Sequence, residues 1–300
     1  MENYDLIIIG SGPAGLTAAV YAARYKINFL VLGKIPGGLI AEIHKICNFP
    51  SYDDIPGFEL AKKMIEQVKR LGVKINFEEV SNIKKKKTGF EIITNKNKYN
   101  AKKLIFATGS ERRKLGIDRE KELTGKGISY CATCDAPFYK DKIVGVAGGS
   151  DSALTTALLL SKFAKKVYII YRKDKFFRGD IIWIEEVKRN KKIEFLFNSK
   201  ITKLIGKDKL ESIEINGKLK LKVDGIFVEV GNVPNLELAK NLGIKIEKNQ
   251  IVTDKQQRTN IKSIFAAGDI TDNPLKQIVT ACGEGATAAN SVYRELMKEK

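Results

Sequence analysis

Apolar and polar positions along the chain fall into blocks that read as strand, helix, strand. Residues 6–9 form a short apolar run, and 5–9 reads as a strand. The run breaks into glycine at Gly10. Over 12–24 alanines at 14, 18, 19, 22 and 23 recur in a segment that reads as a helix packed closely on its neighbours. A second strand is expected over 28–32, followed by a loop rich in glycine and proline, with Gly37, Gly38, Pro50, Pro56 and Gly57. Residues 58–71 place Leu60, Met64, Val68 and Leu71 at helical spacing, and Gly72 supplies a stop. Short β-rich segments follow over 73–100, with the lysine run 84–87 as a solvated turn between two of them. Residues 104–109 form another buried strand that ends in glycine.

The pattern then restarts. Residues 142–147 read as a strand, 148–153 as a glycine turn, 154–163 as a helix and 167–171 as a strand. Gly148 stands 138 positions after Gly10, so the opening strand–helix–strand unit occurs twice. After Val233 and Pro234 come short strands, the segment 263–269 and a final helix. Strands alternating with helices predict an α/β chain with parallel sheets, and two copies of the unit predict two bound nucleotides.

Composition narrows the picture. Three hundred residues with 43% hydrophobic content suit two buried cores of roughly 100–200 residues each. No apolar run approaches the roughly 20 residues that cross a bilayer. The N-terminus lacks a basic, apolar leader, so a cytoplasmic protein without membrane contact is expected. The net charge of +18 is spread along the whole chain, without a nucleic-acid motif or interleaved aromatics. It therefore predicts an acidic protein partner and phosphate-bearing cofactors rather than nucleic acid. Of the four cysteines, Cys131 and Cys134 form a C-x-x-C pair, a spacing that serves redox chemistry or metal binding in a cytosolic protein. A zinc set would need two further ligands, and His44 and Cys47 are the pair that could supply them.

Gly10, Ser11, Gly12, Pro13, Ala14 and Gly15 match G-x-G-x-x-G between a strand and a helix, the setting in which backbone N–H groups approach a pyrophosphate. Gly148, Gly149, Ser150, Asp151, Ser152 and Ala153 occupy the same place in the second copy, with serine where the strict pattern has glycine. The strand that follows ends in Arg172 and Lys173. Basic residues there suit the 2′-phosphate of NADP, as an acid would suit NAD.

Taken together, the first glycine motif, the 107–109 segment Ala107-Thr108-Gly109, the Cys131-Ala132-Thr133-Cys134-Asp135 run, the second glycine turn and Gly268-Asp269 resemble, in order and spacing, the low-molecular-weight thioredoxin reductases. The resemblance covers essentially the whole chain. It implies two Rossmann-like, three-layer α/β domains: a discontinuous FAD domain over 1–114 and 236–300, and a pyridine-nucleotide domain over 115–235 that carries the redox disulfide. FAD would be held by Gly10, Gly12, Pro13, Ala14, Gly15, Gly37, Gly38, Asn48, Ala107, Thr108, Gly109, Gly268, Asp269, Gln277, Ile278 and Val279. NADPH would be held by Gly148, Gly149, Ser150, Asp151, Ser152, Arg172, Lys173 and Arg178. Phe177 stands where the family has arginine, with Arg178 one residue beyond it, and Leu39 stands where the family usually has glutamine. The implied reaction is thioredoxin-disulfide reduction, with NADPH as donor and a thioredoxin or thioredoxin-like protein as acceptor. Cys134 would be the flavin-proximal sulfur, Cys131 the one that attacks the partner, and Asp135 the general acid/base. Hinges near 113–115 and 232–235 would let the domains move, and a homodimer is expected. A same-fold reductase fed by NADH, ferredoxin or a deazaflavin is the alternative.

Overall fold

Leu6, Ile7, Ile8 and Ile9 are all buried because both faces of their strand are covered. Successive strand side chains point to opposite faces. Leu6 and Ile8 join one core with Leu16, Ala18, Ala22, Phe265, Ala288 and Val292. Ile7 and Ile9 join a second core with Leu30, Leu104, Phe106 and Ile264. An unbroken apolar run is the signature of such a doubly covered parallel strand.

The computed structural model describes residues 2–177 and 179–299. Its contacts divide the chain into two units. The first comprises Met1–Ala41, Ile46–Glu111 and Pro234–Lys300, and the second Glu42–Lys45 and Arg112–Val233.

In the first unit the strand Glu2–Ile9 lies between Phe29–Leu32 and Lys98–Phe106, parallel to both, with Ile8 opposite Val31 and Ile105. Ile75–Asn76 extends the sheet on one side and Ile264–Ala266 on the other, again in parallel. A meander of Val80–Lys85 and Phe90–Thr94 leads antiparallel into Lys98–Phe106. Lys84 and Lys85 thus belong to a strand rather than a turn, and the reversal falls at 86–89, closed by the Lys86 N–H to the Gly89 carbonyl at 2.9 Å. The helices Pro13–Arg24 and Ile278–Lys298 cover one face. Gly285 allows them to touch, since a Cβ there would lie 2.1 Å from the Ala14 carbonyl oxygen. Lys103, fully buried in its strand, reaches Glu295 at 3.0 Å and Glu299 at 2.7 Å on the C-terminal helix.

The second unit repeats the plan. Ile193–Leu196, Lys166–Ile170, Ile143–Ala147, Gly225–Val228 and Ile128–Ser129 form one parallel sheet in that order. An antiparallel meander of Ile201–Ile205, Ser212–Ile215 and Leu219–Lys222 precedes the fourth of these strands. The helices Asp151–Ser161 and Ile181–Arg189 pack on one face through Leu154, Leu160, Trp183 and Val187. The first begins at Asp151, three residues before the apolar pattern, because the Leu154 N–H already donates to the Ser150 carbonyl at 3.0 Å. Both units are Rossmann-like and share the order of their first four parallel strands, third–second–first and then the strand after the meander, so the sequence repeat is a repeat of α/β units that differ in the fifth strand and in where the meander pairs. Among the described residues no helix is long and apolar enough to cross a membrane.

Candidate active site

The first glycine turn sits at the C-terminal end of Glu2–Ile9, where it meets the end of Lys98–Phe106. Gly10 has a φ of +122°, and a Cβ on it would lie 1.9 Å from the Ala107 oxygen. Gly15 is equally constrained, with a Cβ position 1.9 Å from the Gly10 oxygen. Gly12 differs: its backbone is extended (φ −82°, ψ −173°), which any residue can adopt. A Cβ on it would meet nothing nearer than the Gly37 oxygen at 3.9 Å. Protein packing does not require glycine there, so the open space at the helix N-terminus fits the close approach of a ligand pyrophosphate.

The remaining residues of the expected flavin set gather around this turn. Gly38, at φ +66°, faces Gly12 with a Cβ position 3.1 Å from its Cα. Asn235 holds the 107–109 segment at two points: its side chain donates to the Thr108 carbonyl at 3.0 Å and its N–H to the Gly109 carbonyl at 3.0 Å. Gly268 lies beside Ala14. Burial pushes the carboxyl of Asp269 upward, against the nearby Lys276 ammonium, and its hydrogen bond from Ser110 Oγ is long, at 3.5 Å. A carboxylate so poorly supplied with donors suits ligand hydroxyls. Asn48 Nδ2 donates to Gln277 Oε1 at 3.1 Å, and Ile278 and Val279 open the helix Ile278–Lys298. The glycine cradle, the helix N-terminus and the under-supplied carboxylate together fit FAD.

Two residues important to this cradle lie outside the expected ligand-binding set. Asn235 falls at one of the expected hinges. Glu284, buried in the C-terminal helix, accepts from the Gly268 N–H at 2.7 Å, Thr271 Oγ at 2.9 Å and Asn273 Nδ2 at 2.6 Å. It pins the turn that carries Asp269. Its signal was a charged residue between glycines at 283 and 285, at helical spacing from buried Ala281 and Ala288.

The second glycine turn copies the first. Gly148, at φ +146°, would place a Cβ 2.2 Å from the Glu229 oxygen, as Gly10 does with Ala107. The Glu229 side chain is held beneath by Thr156 at 3.0 Å and Arg112 at 2.8 Å. Ser150 caps the helix with φ −100° and ψ 176°, nearly the backbone of Gly12, so serine costs this turn no strain. Asp151 Oδ1 accepts from the Asp180 N–H at 2.6 Å, and burial raises its carboxyl. Ser152 lies in the first turn of that helix and Arg172 and Lys173 are exposed just past Lys166–Ile170. Arg178 lies outside the described residues.

The two turns solve one packing problem in opposite ways. In the first unit Ser11 fills the space beside the second strand, and the residue facing it, Gly33, has no room for a Cβ, which would lie 2.2 Å from Ser11 Oγ. In the second unit Gly149 replaces the serine, and Tyr171, the counterpart of Gly33 after the same 138 positions, fills the space with its ring. A Cβ on Gly149 would lie 2.6 Å from that ring. Gly149→Ser is therefore expected to destabilise the protein by about 1–3 kcal/mol. Combined with Tyr171→Gly, its cost should largely disappear. A double-mutant cycle from denaturant melts measures this; a coupling energy near zero would mean that the ring has other room.

Cys131 and Cys134 form a disulfide at the start of the four-residue helix Ala132–Asp135. The Cys134 N–H donates to Cys131 Sγ at 3.2 Å. Cys131 is half-buried and Cys134 exposed, with Asp135 in the same turn. Among the described residues no group of three or more histidine, cysteine, aspartate and glutamate side chains is placed to hold a metal ion, and Cys47 is a free, exposed thiol.

Residues 4–285 match the model of the pyridine nucleotide-disulphide oxidoreductase family. A thioredoxin reductase of Listeria monocytogenes is 38% identical over 305 residues, covering 99% of this chain and 95% of that one. The crystal structure of the Lactococcus lactis thioredoxin reductase superposes with a TM-score of 0.94 at 39% identity, covering 98% of this chain and 99% of that one. A ferredoxin-flavin thioredoxin reductase from Clostridium acetobutylicum is 33% identical, with a TM-score of 0.56 and 99% of both chains covered.

Proposed function

The chain belongs to the pyridine nucleotide-disulphide oxidoreductase family, and from that premise we propose that it is an NADPH-dependent thioredoxin-disulfide reductase. The observation that carries the reading is the Cys131–Cys134 disulfide at the start of its short helix, in a chain whose two units each present a dinucleotide turn. FAD held in the first unit supplies two-electron chemistry between a pyridine nucleotide and a disulfide.

The protein groups divide the remaining work. In the dithiol form the Cys134 N–H, aimed at Cys131 Sγ, favours a thiolate at Cys131. That thiolate attacks one sulfur of the partner disulfide, forming a mixed disulfide and expelling the other partner sulfur as thiolate. Cys134 then attacks Cys131 Sγ, re-forming the Cys131–Cys134 bond and releasing the partner as a dithiol. The partner gains two electrons and two protons, and this chain loses them. Asp135, adjacent in the same turn, takes the Cys134 proton and returns one to a departing thiolate. Asp135→Asn is expected to slow thioredoxin reduction by about a hundredfold while leaving bound FAD per chain unchanged. Stopped-flow kinetics and the visible spectrum check both; wild-type turnover would remove Asp135 from the mechanism. A cytoplasmic homodimer belongs to the same reading.

The test is an anaerobic titration of the purified protein with NADPH, followed by addition of a thioredoxin. Bleaching of the flavin absorbance is expected to be complete only after about two equivalents, one for the Cys131–Cys134 disulfide and one for the flavin, with thioredoxin dithiol then formed. A second reading is favoured by Ser150 and Phe177, each a departure from the nucleotide-site pattern, and by the resemblance to the Clostridium acetobutylicum protein: the same disulfide chemistry fed by reduced ferredoxin. A flavin that dithionite reduces and neither NADPH nor NADH does would select it.

A further inference from the structure

Cys131 lies on extended backbone (φ −129°, ψ 93°) between the short strand Ile128–Ser129 and the helix Ala132–Asp135. Two residues fix it from the strand side. Ser129, buried, accepts the Cys131 N–H on its Oγ at 3.1 Å. Tyr130 packs its ring against the core that holds Leu123 and Ile128, and its hydroxyl donates to Glu120 Oε1.

Glu120 opens the helix Glu120–Leu123 and is 6% exposed. Its carboxylate collects three donors. The Leu115 N–H reaches Oε1 at 2.7 Å, the Gly116 N–H reaches Oε2 at 2.8 Å, and the Tyr130 hydroxyl completes the set. A buried charge is tolerated only where donors surround it, so all three groups are held to one point. Two of these bonds fix the loop at Leu115 and Gly116. The third reaches the residue that precedes Cys131.

We propose that Tyr130, anchored on Glu120, is a positioning residue for Cys131, setting the direction from which its thiolate meets the partner disulfide. The proposal rests on the thioredoxin-reductase reading above. In that step a bond forms between Cys131 Sγ and one partner sulfur, and the other partner sulfur leaves with the bonding pair as a thiolate. Orbital alignment governs such an attack, and misplacing a reacting atom by about 1 Å costs on the order of a hundredfold. A docked protein disulfide offers one line of approach, whereas a small alkylating agent arrives from any open side. Loosening Tyr130 therefore harms the first reaction and spares the second.

The experiment compares FAD-loaded wild type, Tyr130→Phe and Glu120→Gln, each reduced to the dithiol form. Three quantities are read: single-turnover reduction of thioredoxin, iodoacetamide alkylation of Cys131 across pH by fragment mass, and thermal melts. Tyr130→Phe keeps the ring and leaves both backbone N–H groups their acceptor. With Ser129 still in place, its rate at saturating thioredoxin should fall about tenfold. Half-saturation, the alkylation rate and its pH midpoint should stay as in wild type. Glu120→Gln should do the reverse. Whichever way its amide turns, it still pairs with the Tyr130 hydroxyl and leaves one of the two backbone N–H groups without an acceptor. It should melt below both other proteins and reduce thioredoxin at the wild-type rate. Wild-type turnover in Tyr130→Phe, or turnover that follows the melting temperature in both variants, makes Tyr130 structural only and overturns the proposal. A shifted alkylation midpoint in Tyr130→Phe means that the hydroxyl tunes the thiol rather than its direction, and overturns it too. If the wild-type dithiol is alkylated but reduces no thioredoxin, the thioredoxin-reductase reading fails first and the proposal with it.

Discussion

Cys134→Ser is expected to reduce thioredoxin turnover by more than about a thousandfold, while NADPH still bleaches the bound flavin. The substitution keeps the backbone N–H that donates to Cys131 Sγ, so the Cys131 thiolate should persist and attack. The second step then fails, because serine cannot displace the partner from Cys131. The variant should therefore accumulate a covalent mixed disulfide with its partner, visible by intact mass and removed by dithiothreitol. Cys131→Ser should be equally inactive and should trap nothing. The opposite pattern, trapping by Cys131→Ser, would exchange the two roles; the greater exposure of Cys134 makes that a fair test. Loss of flavin reduction in Cys134→Ser would overturn the order in which electrons move.

What could be read from the sequence was whatever imposes a period or leaves no alternative residue. Leu6 to Ile9 read as a strand, which the fold covers on both faces, and Gly10 and Gly15 read as a tight turn and a close helix contact, where a Cβ would collide with backbone. The C-x-x-C pair was visible because three-residue spacing is what joins two sulfurs across one helical turn. Less legible was anything decided by a partner distant in the chain. The meander 201–222 and the helix Ile181–Arg189 have short, mixed patterns, and tertiary packing defines them. The reciprocal pairs Ser11/Gly33 and Gly149/Tyr171 cannot be seen until the strands are side by side. Phe177 reads as the loss of an arginine, and the positions of Lys173 and Lys175 over its ring are contacts that no pattern announces. Asn235 acts through bonds to backbone, which carries no sequence signal of its own, and Glu284 shows only as a charge between two glycines.

Glu284→Ala follows from the same logic and should have the largest effect on stability. The carboxylate collects donors from the Gly268 N–H, Thr271 Oγ and Asn273 Nδ2, and both Gly268 and Thr271 are buried. Removing it leaves the Gly268 N–H without an acceptor in an apolar surround, whereas the Thr271 hydroxyl can turn to the Gly268 carbonyl at 2.9 Å. An unsatisfied buried donor costs about 1–3 kcal/mol and a hydrogen bond to a charged group contributes a similar amount. A loss of about 3 kcal/mol is therefore expected, or roughly 5–10 °C in melting temperature. Because the turn it pins carries Asp269, FAD affinity should fall as well, read as free flavin after gel filtration. Glu284→Gln should be intermediate: its oxygen can still accept from Gly268 and Thr271, but its amide meets the Asn273 amide donor to donor. Adding Asn273→Asp to Glu284→Gln supplies an acceptor for that amide and should recover stability and FAD retention together. If the alanine variant melts like wild type and keeps its flavin, the turn is held by its own Thr271 N–H to Gly268 carbonyl bond at 2.9 Å, and Glu284 is a bystander.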